Sequence, residues 1–420
     1  MSALNQVLLH PQQRVGADFA AWRAAGGGEG LRAALGATPA QLIEMIRDAG
    51  LRGLGGSGYP AYRKWEGLAA QRASGDRYLI VNGNEDEPGT FKDRILLAET
   101  PHQVIEGAAI CAVACDINHI VFYINPDQDA ALASMRDAVA QWQDSDLYTA
   151  LAEHLRRPVE LRVMASSGHY IGGEETAAIE SVEGKFPFPR RKPPYPAEAG
   201  VHGLPTLVNN TETLANVPHI MRNGVAWYRG LGRGAAAGTK IYCLSGDVLR
   251  PGAYELPMGT PLQELIFEHG GGMLVGMKLK AIFTGGPSNT ILTPADLDVP
   301  LDFDSVAERR SALGTGAMIV VSEGTGIVKR VTEYVNFFAD NSCGQCPACK
   351  TGTYYISRLL SRIDTGHGSR SDLDTLVSLS QLLPGAGRCH LLDGAVKVLD
   401  SSLYHFGSEY EKAIAPRNNR

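Results

Sequence analysis

The chain has 420 residues, 39 Lys and Arg against 45 Asp and Glu, a formal net charge of -6 and 44% hydrophobic residues. That length exceeds one ordinary core and predicts two to four domains. The mild acidity gives no basic footprint for nucleic acid, and no apolar run reaches the roughly 18 residues of a membrane span. The first residues lack the charged-then-apolar pattern of a secretory signal, and seven cysteines without a disulfide framework fit a reducing compartment, so the cytoplasm is expected. The 48 glycines cluster around 50–58, 168–173, 269–276 and 314–326, which predicts tight turns or close backbone approach to a ligand.

In chain order, a polar lead gives way to a helix opened by Thr38 and Pro39, with Leu42, Ile43, Met45 and Ile46 on its apolar face and Gly50 past its end. It delivers the chain into Leu51-Arg52-Gly53-Leu54-Gly55-Gly56-Ser57-Gly58-Tyr59-Pro60, followed by Lys64 and Trp65. Closely spaced glycines let several backbone N–H groups face one anion, although such loops also serve as plain connections. Tyr78-Leu79-Ile80-Val81 reads as a buried strand ending in the polar loop Asn82 to Thr90, where open α/β sheets bind ligands. The acidic groups of that loop stand at the start of the helix beginning at Phe91-Lys92-Asp93-Arg94, where they can cap it or meet ligand hydroxyls. A helix at 103–115, with Cys111 and Cys115 as packed thiols, a strand at 119–124 and a helix at 128–142 continue the alternation of a doubly wound α/β domain.

Glu174 and Glu175 follow a glycine-rich turn at a helix start, where favouring the helix dipole is their default role. Arg190 to Pro196 is stiff, basic and aromatic, suited to an anionic ligand or simply to a linker. Asn209-Asn210-Thr211-Glu212-Thr213 precedes another helix, a common capping arrangement. From about 238 the pattern shifts to strands at 240–246, 252–256, 279–284 and 318–321 with a helix near 261–268, which predicts a small α+β unit. From 327 the chain reads as helical, with Val328, Val331, Tyr334, Val335 and Phe338 in a 3-4 rhythm and further amphipathic stretches at 353–362, 371–383 and 393–413.

Cys343, Cys346 and Cys349 recur at three-residue spacing, and Cys389 follows about forty residues later. Three thiols on one turn and a fourth from a distant segment suit an iron-sulfur cluster. Zinc remains an alternative, with His390 as a possible replacement ligand. The first three thiols are expected just after one helix and Cys389 in a later loop.

Together these motifs resemble the NADH-binding FMN and iron-sulfur flavoprotein subunit of respiratory complex I, shared with soluble NAD-linked hydrogenases and formate dehydrogenases. The resemblance runs from roughly residue 38 to 415. It rests on the Gly53 to Pro60 loop, Lys64-Trp65, Asn82 to Thr90, Gly173-Glu174-Glu175-Thr176, Lys192 to Pro196, Asn209 to Thr213 and the four cysteines. It implies an N-terminal extension at 1–37, a Rossmann-like α/β flavin domain at 38–237, a β-grasp (ubiquitin-like) domain at 238–326 and a helical bundle at 327–420. It assigns FMN to Gly53, Gly55, Gly56, Lys64, Asn82, Glu85, Gly173, Glu174, Asn209 and Asn210. NAD(H) falls to Tyr59, Glu87, Glu175, Lys192 and Tyr195, and one 4Fe-4S cluster to Cys343, Cys346, Cys349 and Cys389.

The activity so implied is hydride transfer between NAD(H) and FMN and single-electron transfer between FMN and the cluster, within a multi-subunit oxidoreductase. No protein acid or base is obligatory, so no catalytic residue is named. The expected partners are a thioredoxin-like 2Fe-2S subunit and a larger Fe-S or catalytic subunit, with neither nucleic acid nor direct membrane insertion. Three positions depart from the family pattern: Leu54 for a loop arginine, Asn84 for an aspartate, and Gly67 for an aromatic that helps sandwich adenine. These departures motivate a second reading, an electron-transfer module that has lost direct NAD(H) chemistry. A zinc-bound scaffold without flavin is a third.

Overall fold

The computed structural model describes residues 5–71 and 75–414. The outer ends of the expected N-terminal extension and helical bundle, 1–4 and 415–420, lie outside the described residues. The chain divides into two compact units, the first comprising Met1–Asp86, Thr90–Cys243 and Ala253–Thr260, the second Glu87–Gly89, Leu244–Gly252 and Pro261–Arg420.

The first unit is built on a parallel sheet of β1 (Tyr78–Gly83), β2 (His119–Ile124), β3 (Glu160–Ala165) and β4 (Thr206–Asn210), in the order β3-β2-β1-β4. Leu79, Ile80 and Val81 are all buried, as are Ile120 to Ile124, because helices cover both faces of a parallel sheet. The apolar helix Pro101–Cys115 is buried along its length, and Cys111 and Cys115 sit in the core as packed thiols. From β1 the chain steps outward to β2 and β3, then returns to pair β4 on the other side of β1. The strand order therefore reverses between β1 and β4, which opens a crevice at their carboxyl ends.

The expectation of a polar lead before residue 38 is corrected. Short helices Phe19–Ala24 and Glu29–Leu35 form there, and Val7, Leu8, Leu9, Trp22 and Leu31 are buried. Two buried carboxylates hold this segment. Glu255 accepts the N–H groups of Val7, Leu8 and Leu9 at 3.2, 2.9 and 2.9 Å, and Glu106 accepts that of Leu31 at 2.9 Å.

Burial lifts the pKa of Glu106 to about 7, against the opposing pull of the Leu31, Gly28 and Gly30 amides and of Arg222. A carboxyl with a raised folded-state pKa contributes stability that is complete below its unfolded pKa and is lost as pH rises through the folded one. Between pH 4.5 and about 7 this group is expected to remove about 3 kcal/mol of stability. Melting curves across that window should flatten in Glu106→Gln, and an unchanged slope would remove Glu106 as the cause.

Beyond residue 238 come β5 (Thr239–Gly246), β6 (Gly252–Pro257), β7 (Leu279–Thr284), β8 (Ile291–Leu292) and β9 (Ala317–Ser322), ordered β6-β5-β9-β7-β8, with β7 antiparallel to β8 and β9. In this stretch β8, only two residues long, and the one-and-a-half-turn helix Phe303–Glu308 were not expected from the sequence, nor were β3, β4 and the helix Asp146–Leu155 earlier in the chain. The helix expected at 261–268 is a single π-helical turn, Glu264–His269. Helices Ile327–Asp340, Pro347–Asp364, Arg370–Leu382 and Leu391–Ile414 follow. Val328, Val331, Val335 and Phe338 form the buried stripe of the first. Among the described residues no helix is long and apolar enough to cross a membrane.

Candidate functional site

At the β1/β4 crevice Val81 pairs with Asn209 and Asn82 with Asn210, which brings three carboxamides to the ends of two adjacent strands. Each is held. Asn82 donates to the Gly173 carbonyl at 2.8 Å and accepts the Asn84 N–H at 3.1 Å. Asn209 accepts the Trp65 indole N–H at 3.3 Å. Asn210 caps the helix Thr211–Asn223 through the Glu212 N–H at 3.0 Å and donates to Asp93 at 2.8 Å.

The glycine loop is closed at its base by Gly53 N–H to Tyr59 O at 2.8 Å and Gly58 N–H to Gly53 O at 3.1 Å. Leu54 N–H pins it to Thr213 Oγ1 at 2.8 Å. A Cβ on Gly55 would lie 2.9 Å from that of Asn210, and Gly56 has φ +136°, so neither position takes a side chain freely. The bare glycine backbone leaves the loop open to the close approach of a phosphate.

Beside the loop, Lys64 meets Glu175 at 2.7 Å and the Val208 carbonyl at 3.2 Å, while Lys192 bonds the other oxygen of Glu175 and lies 3.4 Å from Glu174. Burial would raise the Glu175 carboxyl, but the two lysines overcome it and hold the pKa down to about 2. Tyr59 and Tyr195 stand 44% and 55% exposed. A Cβ built on Gly67 would meet nothing within 4 Å beyond its own helix and chain neighbours, so a side chain there has open space.

Three expected ligand residues turn elsewhere. Glu85 spends its carboxylate on Asp93 N–H at 2.7 Å and on Arg94, whose Nε lies at 2.9 Å, and so caps the helix Lys92–Glu99. Glu174 caps the helix Glu175–Val182 through Thr176 and Ala177 N–H at 2.8 and 3.0 Å. Glu87 belongs to the second unit, where its carboxylate packs on Gly286.

In the second unit Cys343 and Cys346 lie between helices, with Cys346 at the N-cap of Pro347–Asp364 and Cys349 inside its first turn rather than after the preceding helix. Cys389 precedes Leu391–Ile414, and Arg388 donates to Gln345 at 2.6 Å, tying the two cysteine segments together. All four thiols are free of disulfides. His390, the alternative ligand, is fully exposed and turned to Asp393. Among the described residues no three Cys, His, Asp or Glu groups converge as around a single ion.

Three family descriptions match successive stretches: the Nuo51 FMN-binding domain at 46–219, the SLBB domain at 241–291 and the NADH-ubiquinone oxidoreductase-F iron-sulfur binding region at 329–413. The second of the NADH-quinone oxidoreductase F subunits of Rhizobium meliloti (strain 1021) is 41% identical over 94% of both chains. The chain belongs to the family of NADH-quinone oxidoreductase F subunits.

Other F-subunit relatives include that of Escherichia coli (strain K12), 39% identical over 94% of this chain and 89% of its own. The NADP-reducing hydrogenase subunit HndC of Solidesulfovibrio fructosivorans is 37% identical over 94% and 80%. An NAD+-reducing [NiFe]-hydrogenase in the H2-reduced state is similar in structure, with TM-score 0.85 and 32% identity over 100% of this chain and 69% of that one. As a member of the F-subunit family the chain is an oxidoreductase subunit that carries electrons among NAD(H), FMN and a 4Fe-4S cluster.

Beneath the crevice of this F-subunit family member lies a buried ion network that sequence reading did not find. Glu212 lies 3.0 Å from Lys92 and 2.9 Å from Lys240, and Lys92 also meets Asp93 at 2.7 Å. Burial opposes all these charges. Asp93 and Glu212 nevertheless raise Lys92, Lys240 and Lys92 lower Glu212, and Lys240 itself stays below its ordinary value because burial dominates. Their separation in sequence, from 92 to 240, left only Glu212 visible, and there as a cap.

Proposed function

We propose that FMN occupies the β1/β4 crevice, with its phosphate on the Gly53 to Gly58 loop and its ring system against Asn82, Asn209 and Asn210. The observation that carries this is the meeting of those carboxamides with the glycine loop at the topological switch point. Gly53 and Gly173 shape the walls. Lys64, Glu85 and Glu174 act by holding neighbouring elements, and Lys64 also faces the crevice. Tyr59, Glu175, Lys192 and Tyr195 bind the nicotinamide dinucleotide, the tyrosine rings stacking and Lys192 meeting its phosphates. Bound flavin supplies the two-electron to one-electron conversion, and the protein supplies placement and electrostatics.

The thiolates of Cys343, Cys346, Cys349 and Cys389 hold the 4Fe-4S cluster. The strands after 238 form the β-grasp domain, and the helices from 327 form the bundle. The chain works in the cytoplasm beside a thioredoxin-like 2Fe-2S subunit and a larger Fe-S or catalytic subunit. Apoprotein stripped of flavin should rebind FMN stoichiometrically and regain NADH-dependent reduction of an artificial acceptor. Failure of Gly56→Val to weaken FMN binding would remove the glycine loop from the site.

The open space at Gly67 favours weak dinucleotide binding, or electron exchange with protein partners alone. Stacking an adenine on an aromatic contributes about 1–3 kcal/mol, so Gly67→Phe is expected to lower the KM for NADH about tenfold or more. The KM for reduced nicotinamide mononucleotide, which lacks the adenosine, should not move. Equal KM values for NADH before and after substitution would mean that adenine does not pass over Gly67.

A further inference from the structure

Ser342 immediately precedes the first of the four cysteines, and its hydroxyl lies 3.3 Å from the sulfur of Cys349. That oxygen also accepts the Gly344 N–H at 3.4 Å, a geometry permitted by Gly344 at φ +76°. A hydroxyl has one proton and two lone pairs. With one lone pair taken by Gly344, its proton is free for the sulfur, and an iron-bound thiolate carries no proton to offer in return. The direction is therefore fixed: Ser342 donates and Cys349 accepts.

Cys349 is the one buried thiol of the four, so water does not readily substitute for the hydroxyl. Ser342 is itself anchored, its N–H donating to Ala339 O at 3.4 Å at the end of the helix Ile327–Asp340. A hydrogen bond into a ligating sulfur withdraws electron density and favours the more negative, reduced state of a cluster. We propose that Ser342 is a positioning residue that raises the reduction potential of the 4Fe-4S cluster through Cys349. This rests on the reading that Cys343, Cys346, Cys349 and Cys389 hold the cluster.

The test is a redox titration of the full, cofactor-replete chain, followed by the electron paramagnetic resonance of the reduced cluster, in Ser342→Thr and the shape-matched Ser342→Val. Ser342→Thr should keep the parent potential. Ser342→Val should lower it, so that at fixed ambient potential the reduced-to-oxidised ratio falls about three- to tenfold, tenfold being about 59 mV for one electron. Iron content and flavin potential should be unchanged in both. Equal cluster potentials in the two variants would overturn the proposal. Loss of iron from Ser342→Val with retention in Ser342→Thr would also overturn it, in favour of a role in holding the cluster. A parent chain that binds no four-iron cluster would instead defeat the cysteine assignment on which the proposal stands.

Discussion

Cys346→Ser is expected to strip the chain of its full iron complement while leaving FMN bound at the level of the parent. The substituted residue caps the helix that carries Cys349, so the fold around it survives on backbone hydrogen bonds: Lys350 N–H still reaches the residue 346 carbonyl at 2.9 Å. What is lost is a thiolate, and a serine hydroxyl with its far higher pKa does not replace it near neutral pH. Changing a group that merely supports a metal ligand costs about 10–100-fold in metal affinity, so removal of a ligand itself should exceed about 100-fold. NADH should still reduce the flavin of this variant, while transfer to a cluster-dependent acceptor fails. Iron and flavin analysis on the same sample decides the matter, and a full four-iron complement in Cys346→Ser would count against the assignment.

Glu212→Ala is expected to be the most destabilising single change in the flavin-binding unit. Glu212 sits within 3.0 Å of two lysine ammonium groups, and its other oxygen accepts the Ile241 N–H at 2.7 Å. Lys92 and Lys240 are both fully buried. Without Glu212, Lys92 keeps Asp93, but Lys240 is left with the Leu54 carbonyl at 3.3 Å. Breaking one partner of a buried ion pair costs about 3–5 kcal/mol, against a total stability of about 5–15 kcal/mol for a domain.

For a unit of this size that corresponds to a melting temperature lower by roughly 6–20 °C. FMN affinity should fall with it, because Lys92, which the Glu212 carboxylate holds, donates to Asn210. A compensating pair, Glu212→Leu with Lys240→Met, should recover part of the loss. If thermal melts of Glu212→Ala and the parent coincide, the network contributes nothing to the fold.

Strands β1 and β2 and the ligand loop that ends β1 are legible in the sequence because their signals are local, whereas β3 and β4 are not. Leu79 to Val81 and Ile120 to Ile124 are short apolar runs, and the polar residues that end β1 sit next to them in sequence. Cys343, Cys346 and Cys349 stand out for the same reason, whereas Cys389 comes from a distant segment. The buried ion network is not legible, since Lys92, Glu212 and Lys240 meet only after the chain has crossed the sheet, and each alone looks like a residue at a helix or strand end. Glu85 and Glu174 take the capping role that the sequence also offered them, and both satisfy helix N-termini beside the ligand loop.

Asn84 departs from a family aspartate, and the structure gives it a reason. Its amide donates to Asp86 at 2.9 Å and to the His169 carbonyl at 3.2 Å. An aspartate has no hydrogen to give either one and would set a second carboxylate against Asp86, whose own pKa burial already raises. Leu54, the other loop departure, is buried, and its backbone carries the bonds that fix the loop.

The most direct test of a single chain that passes electrons from a dinucleotide through flavin to an iron-sulfur cluster is stoichiometric NADH titration of the cofactor-replete protein under argon. Flavin absorbance and the paramagnetic signal of the reduced cluster are followed together. The flavin should bleach and the cluster signal should grow with it, and Cys346→Ser should retain the bleaching and lose the signal. Flavin that stays oxidised in excess NADH would contradict the account.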